Sequence, residues 1–280
     1  MNIVVVDSGS TKADWIIYEN GATHLITTPG INPSTGSGMD QHLPSSLAEY
    51  LVRADQIHFY AAGGSGTIAK ERMELFFEPY LKNTKTQLWI ESDMLAAARA
   101  ASGQKPAIVC ILGTGSNSCL YDGEKITDQI PSLGYLLSDE GSGNHIGKLL
   151  LTSYFYREMT EEDALLFQSR FAVMREEVLG HLYTENGVSA YLAEFSTFLN
   201  YCSNSLKNKV LEKAFSQFIE TRILKYNEFS KFDLYFAGSI AYIYQDVLSG
   251  ICKKYNLSIA GIVRKPIESL MQYHLSRELK

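Results

Sequence analysis

Short apolar runs alternate with polar turns over the first thirty residues of the chain. Ile3–Asp7 is an apolar, β-branched run, and Ala13–Tyr18 resumes the same pattern after a polar turn at residues 8–12. Asn20-Gly21 then precedes a third run, His24–Thr27. Asn-Gly between two such runs is a strong signal for a tight hairpin. The pattern predicts strand, turn, strand, turn, strand.

Two further strands and two helices are predicted before residue 103. The strands are Ile57–Ala61, which ends in a glycine-rich turn, and Leu88–Glu91. Apolar residues at helical spacing predict a helix over Thr67–Leu81 between them. Its apolar side consists of Ile68, Met73, Phe76 and Phe77. Ser92-Asp93 is typical of a helix N-cap, and an Ala-rich helix follows it.

The opening pattern then recurs about 100 residues later. Ala107–Leu112 is an apolar run, residues 113–117 form a turn of small polar residues, and Ser118–Tyr121 is a second run. A shift of 103 residue numbers lays Thr11 on Thr114. Duplication at this distance indicates two domains of one ancestral type rather than a solenoid.

The rest of the chain is predicted to be helical, apart from two late strands. Residues 144–230 are mainly helical, Phe232–Ala237 is a strand, and Ala241–Lys254 is a helix. A last strand near Ile259–Val263 and a helix after Pro266 complete the pattern.

This organisation predicts an α/β protein with two domains. We expect a first domain over residues 1–104 and a second over residues 105–265, with a helical insertion at about residues 144–230. The C-terminal helix, residues 266–280, is expected to pack back on the first domain. Residues 103–106 are the best candidate for a linker, because they combine glycine, proline and polar residues.

Composition narrows the classes of function. The chain has 280 residues, of which 45% are hydrophobic and 20% charged, and its net charge is −6. It lacks the clustered Lys and Arg that binding to nucleic acid requires. There is no apolar run long enough for a membrane helix, and the N-terminus lacks the basic region of a signal peptide, so we expect a cytoplasmic protein.

The cysteines and histidines do not indicate a metal site. Cys110, Cys119, Cys202 and Cys252 show no CxxC spacing, and the histidines form no HExxH motif. We expect buried free thiols, which suit a reducing compartment.

Three turns rich in Gly, Ser and Thr directly follow apolar strands. They lie at residues 8–12, 113–117 and 238–239. Small residues let backbone N–H groups approach the oxygens of a phosphate, and hydroxyls supplement them. One such turn is weak evidence, but two at equivalent points of a duplication and a third after a late strand favour a nucleotide site. The chain has no GxxxxGK[ST] motif, and Gly113-Thr114-Gly115 lacks the third glycine of a dinucleotide fingerprint.

The order of these motifs resembles the N-acetylglucosamine kinase branch of the BadF/BadG/BcrA/BcrD-type ATPase family, within the actin and sugar-kinase superfamily. The resemblance rests on residues 7–12, 113–117, 138–142 and 237–239, with Asp93 heading a helix. It implies two RNase H-like domains, each a mixed five-stranded sheet flanked by helices, with a nucleotide cleft between them. Ser8 stands where many relatives have glycine, and residues 132–135 replace the Gly-Trp-Gly turn of the animal kinases.

The resemblance also implies roles for individual residues. The residues expected to bind ATP are Ser10, Thr11, Lys12, Thr114, Gly115, Ser116, Gly238 and Ser239. Those expected to contact the sugar are Asn32, Asp93, Thr114, Asn117, Gly134 and Asp139. The cofactors implied are ATP and Mg²⁺, the partner is a small sugar, and a homodimer is expected.

The acidic residues also have an interpretation that is independent of the resemblance. Asp7 ends an apolar strand next to a phosphate turn, which suits an Mg²⁺ ion bound through water. Asp93 is either a general base for the sugar hydroxyl or a plain helix N-cap. Asp139-Glu140 is either a substrate contact or a solvated acidic pair, and Asn32 is either a substrate contact or a turn residue.

Three functions are compatible with these motifs. The first is ATP-dependent phosphorylation of an amino sugar, most simply N-acetylglucosamine at its 6-hydroxyl. The second is a BadF/BcrA-type ATPase that activates a partner through an iron–sulfur cluster, which would need cysteine thiolates at a subunit interface. The third is a nucleotide sensor or scaffold that has lost turnover. The acids at positions 7, 93 and 139 favour the kinase.

Overall fold

A computed structural model of the chain describes residues 1–9, 12–81, 85–184 and 187–278. The strands in chain order are β1 Ile3–Ser8, β2 Lys12–Glu19, β3 Ala22–Pro29, β4 Gln56–Ala61, β5 Gln87–Ser92, β6 Ala107–Leu112, β7 Ser116–Tyr121, β8 Ile126–Asp128, β9 Asp233–Ala237 and β10 Ile259–Val263.

The helices follow the same chain order. They are α1 Ser45–Arg53, α2 Thr67–Phe77, α3 Asp93–Ser102, α4 Gly134–Leu137, α5 Gly143–Phe155, α6 Glu161–Phe171, α7 Arg175–Thr184, α8 Val188–Glu194, α9 Asn204–Thr221, α10 Ser239–Ile243, α11 Gln245–Lys254 and α12 Ile267–Glu278. Over the part of the chain that the structure describes, no helix combines the length and apolarity of a membrane span.

The strands form two five-stranded sheets of the same topology within the described residues. Their orders are β3-β2-β1-β4-β5 and β8-β7-β6-β9-β10. In both sheets the first three strands pair antiparallel and the remaining pairs are parallel. The predicted duplication and the predicted mixed α/β fold are therefore confirmed.

The chain divides into two compact units, each built around one sheet. The first unit contains residues 1–105 and 123–125 and the C-terminal segment that begins at Lys265, so it includes α12. The second unit contains residues 106–122 and 126–264, including the helices α4–α11.

Each unit has an apolar core on its sheet. In the first, Trp15 is fully buried and packs edge-on against Phe77, with ring centroids 6.2 Å apart. In the second, Phe167 is the centre of an aromatic cluster in the helical region and contacts Phe198 at a centroid distance of 4.9 Å. Aromatic side chains of this size bury roughly 150–250 Å² each.

Several local predictions need adjustment. The Asn20-Gly21 hairpin is confirmed, with φ of 53° and 83° at the two positions. The expected apolar side of α2 is wrong at Ile68, which is 65% exposed. The predicted turn at residues 113–117 is shorter than expected, because β7 already begins at Ser116. The predicted helix Ala241–Lys254 is divided at Tyr244 into α10 and α11.

The helices of the second unit pack closely where glycine removes a side chain. A Cβ atom at Gly147 of α5 would lie 1.8 Å from the carbonyl oxygen of Leu192 on α8. Gly180 of α7, by contrast, has no atom within 4 Å of the position of a Cβ. The same residue type therefore has opposite consequences in two helices of one unit.

This contrast gives a direct test of the packing. Gly147→Ala should destabilise the protein by about 1–3 kcal/mol, because α5 and α8 must separate. Gly180→Ala should stabilise it by up to about 1 kcal/mol, because alanine has the better helix propensity and meets no obstacle. Urea denaturation of both variants measures the difference. Equal stability changes would contradict the α5–α8 contact.

Candidate active site

The first unit brings two candidate acids to one edge of its sheet. β1, β4 and β5 are parallel neighbours, so their carboxyl ends lie at the same edge. Asp7 is the penultimate residue of β1, and Asp93 begins α3 directly after β5. Gly64, which follows β4, lies so close to β5 that a Cβ atom there would be 2.3 Å from the carbonyl oxygen of Glu91.

The two acids are held at an electrostatic cost. Burial, followed by the nearby carboxylates of Asp93 and Asp14, raises the pKa of Asp7 to about 6, although Lys12 acts in the opposite direction. Burial likewise raises the pKa of Asp93, although the backbone N–H of Met94 donates to its Oδ1 at 2.9 Å. Repulsion between partly desolvated carboxylates is relieved when a cation binds, which makes this edge suitable for a divalent ion.

Asp93 is not the N-cap of α3. The cap is Ser92, whose Oγ accepts a hydrogen bond from the backbone N–H of Leu95 at 3.2 Å. The alternative interpretation of Asp93 as a plain cap is therefore wrong, since the capping side chain is that of Ser92. Its carboxylate remains available for chemistry.

The turn after β1 is described only in part. Ser10 and Thr11, both predicted to bind phosphate, lie outside the described residues. The N–H of Gly9 donates to the carbonyl oxygen of Lys12 at 2.9 Å, which closes the turn. Lys12 forms an ion pair with Asp14, with Nζ and Oδ2 2.5 Å apart. A phosphate bound by Lys12 would compete with this pair.

A loop after β3 places Asn32 near the same edge. Ser8 bonds to both the carbonyl oxygen and the N–H of Ile31, each at 2.8 Å, which ties the loop to the end of β1. The side-chain oxygen of Asn32 accepts hydrogen bonds from the N–H groups of Ser34 and Thr35. Its amide nitrogen has no partner among the described residues, so a donor remains for a ligand.

The second unit orders its glycine-rich turn around the buried carboxylate of Asp139. Oδ1 accepts from the backbone N–H of Ser116 and from the hydroxyl of Ser132, both at 3.2 Å. Oδ2 accepts from Nδ2 of Asn144 at 2.8 Å. A carboxylate offers about four acceptor sites. Asp139 therefore keeps one for a ligand while it holds the turn.

Asn144 is a candidate site residue that the sequence patterns do not predict. It is fully buried at the start of α5, and its backbone N–H and Nδ2 both donate to the carbonyl oxygen of Thr114, at 3.0 and 2.9 Å. Asn144 therefore holds the middle of the turn through the carbonyl oxygen of Thr114, and it also holds the carboxylate of Asp139. Nothing in the sequence distinguishes it from an ordinary residue in the first turn of a helix.

Two features of this turn suit a nucleotide. The Oγ of Ser116 is buried without a hydrogen-bond partner in the described structure, so a hydroxyl is left for a phosphate oxygen. Gly238, with φ of 107°, packs against the turn so closely that a Cβ atom would lie 2.5 Å from the carbonyl oxygen of Leu112. Ser239 then begins α10. The two predicted ATP motifs of this unit are thus in backbone contact.

The segment before Asp139 is anchored separately. Buried Arg222 donates to the carbonyl oxygens of Ile130 and Pro131 and pairs with Glu140 at 3.4 Å. Glu140 is thus a structural anchor. Gly134, with φ of 72°, begins the short helix α4. The side-chain oxygen of Asn117 accepts from its neighbour's N–H in β7 and from Gln129.

The described residues contain no group of three or more His, Cys, Asp or Glu side chains arranged to hold a metal ion. Mg²⁺ does not require such a group, because it commonly keeps several waters and binds through one or two carboxylates together with substrate phosphates. Asp7 is the residue that fits this role.

Known proteins similar to this chain are found among solved structures. A "putative N-acetylglucosamine kinase" from Porphyromonas gingivalis has 31% sequence identity and a TM-score of 0.90, over 99% of both chains. A protein of the same description from Chromobacterium violaceum has 16% identity and a TM-score of 0.70, over 97% of this chain and 98% of its own. The ROK hexokinase from Thermus thermophilus has 12% identity and a TM-score of 0.51, over the full length of both chains. The latter two likenesses concern the fold alone.

No family model matches the chain, and no curated protein sequence matches it.

The role of Asn144 can be separated from general stability. Asn144→Ala removes a donor from Asp139 and from the Thr114 carbonyl, so the turn should lose its fixed position. We expect kcat/KM for ATP to fall by roughly tenfold to a hundredfold, with the larger part in KM. Asn204→Ala, at the exposed start of α9, is the matched control and should change neither constant. Unchanged kinetics in Asn144→Ala would contradict the role.

The raised pKa of Asp7 predicts the sign of a stability change. Because its pKa in the folded protein is about 6, against 3.8 ordinarily, the group stabilises the fold at low pH and loses this contribution as the pH rises through 6. Asp7→Asn should therefore raise the melting temperature at pH 7.5, by roughly 2–4 °C for each 1 kcal/mol gained. The gain should vanish below about pH 4.

Asp14 supplies the control of opposite sign. Burial opposes ionisation of Asp14, but hydrogen bonds from Lys12 and Thr27 lower its pKa below the ordinary value. Asp14→Asn should therefore lower the melting temperature at pH 7.5. Thermal denaturation across this pH range tests both variants. A stabilising Asp14→Asn or a destabilising Asp7→Asn would contradict the charge distribution.

Proposed function

The chain belongs to the N-acetylglucosamine kinase family of actin-like sugar kinases, and on this premise we propose that it transfers the γ-phosphoryl group of ATP to the 6-hydroxyl of N-acetylglucosamine. As a member of that family it is an ATP-dependent sugar kinase. The observation that carries the assignment is the 31% identity to the Porphyromonas gingivalis protein over 99% of both chains. We assign proton transfer and phosphate binding to the acidic residues and the glycine-rich turns of the two units.

The acceptor is proposed to be activated by Asp93. Its carboxylate accepts the proton of the 6-hydroxyl as the bond from O6 to the γ-phosphorus forms. The bond from that phosphorus to the bridging oxygen of ADP breaks in the same step, and ADP leaves with the electron pair. The raised pKa of Asp93, which burial causes, makes it a stronger proton acceptor than an exposed aspartate.

The remaining residues are proposed to position the reactants. Lys12 and the N–H groups and hydroxyls around Thr114, Gly115 and Ser116 would hold the phosphates. Gly238 and Ser239 would border the adenosine. When bound, Mg²⁺ neutralises charge on the triphosphate, and Asp7 would hold it through water.

The sugar is proposed to contact Asn32, Asn117, Gly134 and Asp139. The free amide nitrogen of Asn32 can donate to a hydroxyl, and the remaining acceptor site of Asp139 can accept from one. Both residues are held by several hydrogen bonds, so they lose little freedom when the substrate binds. We also propose that the protein forms a homodimer.

An iron–sulfur activator is not favoured. Cys110, Cys119 and Cys252 are buried, and Cys202 is half-buried. Burial raises the pKa of each thiol, to about 12 for Cys119 and Cys252, so thiolate is scarce at neutral pH.

Ser92 and Asp93 allow a crossed test of the proposed base. Asp93→Asn keeps the shape of the side chain but cannot accept the proton, so turnover should fall by roughly two to four orders of magnitude with little change in melting temperature. Ser92→Ala loses the cap and should cost about 1 kcal/mol of stability, yet it should retain turnover.

Sugar-dependent ADP release and thermal denaturation, measured on both variants, give the comparison. Wild-type activity should also disappear with excess chelator and return with Mg²⁺. Asp93→Asn with wild-type turnover would remove Asp93 from the mechanism, whatever the result for Ser92→Ala.

A further inference from the structure

The first unit contains a cavity of about 230 Å³ beside its edge strand β5. Its walls come from β4, β5, α3 and α12. Drug-sized ligands occupy roughly 300–1,000 Å³, so this volume suits a smaller molecule and is too small for a nucleoside triphosphate. None of the roles proposed above uses the cavity.

One wall is a stack of three aromatic rings. Trp89 lies parallel to His58 with ring centroids 4.4 Å apart, and His58 in turn stacks on His274 at 3.6 Å. Burial lowers the pKa of His58 to about 2 and that of His274 to about 3, so both rings are neutral at physiological pH. Trp89 nevertheless remains 36% exposed. It offers indole surface on which the apolar face of a sugar ring can pack.

Two arginine side chains line the same cavity. Arg99 and Arg277 lie over the ring of Tyr273, with the guanidinium carbons 5.4 and 5.7 Å from its centroid. Each donates to a tyrosine hydroxyl, Arg99 to Tyr60 and Arg277 to Tyr273. Neither has a carboxylate within ion-pair distance among the residues that the structure describes. The Nε of Arg99 is also buried without a partner.

The cavity also presents acceptors. Glu91 and Glu278 line it, and Oε1 of Glu278 is oriented by a hydrogen bond from Gln56 at 2.8 Å. Carboxylates repel a polyanion but accept hydrogen bonds from hydroxyl groups. An occupant that satisfies both sets of groups needs one anionic end for the arginines and several hydroxyls for the carboxylates.

We propose that this cavity is a binding site for a monosaccharide phosphate, with the phosphate on Arg99 and Arg277 and the sugar ring against Trp89. Paired guanidiniums bind phosphate oxygens in a planar, two-pronged geometry. The site lies on the elements that carry Asp93, since Glu91 is two residues before it and Arg99 is on the helix that it begins. The proposal rests on the chemistry of the cavity and does not require the proposed reaction.

The two tryptophans make the site directly observable. Trp15 is fully buried in the core of the first unit, whereas Trp89 faces the cavity. Protein labelled with 5-fluorotryptophan should therefore give two ¹⁹F resonances. Adding N-acetylglucosamine 6-phosphate should shift the Trp89 resonance in a saturable way and leave the Trp15 resonance in place. Trp89→Phe assigns the signal.

Two variants and two further ligands decide the outcome. Arg277→Gln should weaken the effect on Trp89 about tenfold or more, while Lys70→Gln, which removes the same charge from α2, should leave it unchanged. Glucose 6-phosphate should act like the first ligand, and unphosphorylated N-acetylglucosamine should act far more weakly. A Trp89 resonance that does not move, one that responds equally to inorganic phosphate, or wild-type affinity in Arg277→Gln would overturn the proposal. Because this readout needs no turnover, it stays separate from a failure of the kinase assignment.

Discussion

The buried carboxylate of Asp139 is the constraint on which the second unit depends. Burying a carboxylate away from water is costly unless hydrogen bonds replace its contacts with water. The carboxylate of Asp139 accepts hydrogen bonds from Ser116 in β7, from Ser132 and from Asn144 in α5. Its backbone is in the left-handed region, with φ of 69°, which a non-glycine residue adopts only where the surroundings fix it. The glycine-rich turn therefore has its shape before any ligand arrives, and a phosphate would not have to order it.

The two units share one topology but use electrostatics in opposite ways. The second unit surrounds its buried acid with three hydrogen-bond donors, which hold the turn in place. The first unit leaves Asp7 and Asp93 under mutual repulsion at one sheet edge, where burial and neighbouring charge raise the pKa of Asp7 to about 6. This cost is reasonable only if a cation or a transferable proton relieves it during function. The duplicated fold thus carries a hydrogen-bonded acid in one unit and two acids that repel each other in the other unit.

Local sequence signals predicted most of this architecture. The Asn20-Gly21 hairpin, the repeated strand pairs and the positions of Asp7 and Asp93 follow from apolar periodicity and turn chemistry, which act over a few residues. Asn144 could not be found in this way, because its importance comes from contacts with residues 114 and 139 that only the packed helix creates. The stack of His58 on His274 joins residues from β4 and α12, which no local pattern connects. Ile68 fits a helical stripe but is exposed, because apolar spacing does not show where the core ends.

The central claim, that the chain phosphorylates an amino sugar at its 6-hydroxyl, is tested most directly by ³¹P NMR of the reaction mixture. With Mg·ATP and N-acetylglucosamine, the spectrum should lose the γ-phosphate signal and gain a phosphomonoester signal coupled to the two protons on C6 of the sugar. The new signal should require both the sugar and Mg²⁺. A spectrum that gains only inorganic phosphate, at a rate independent of the sugar, would show an ATPase and contradict the account.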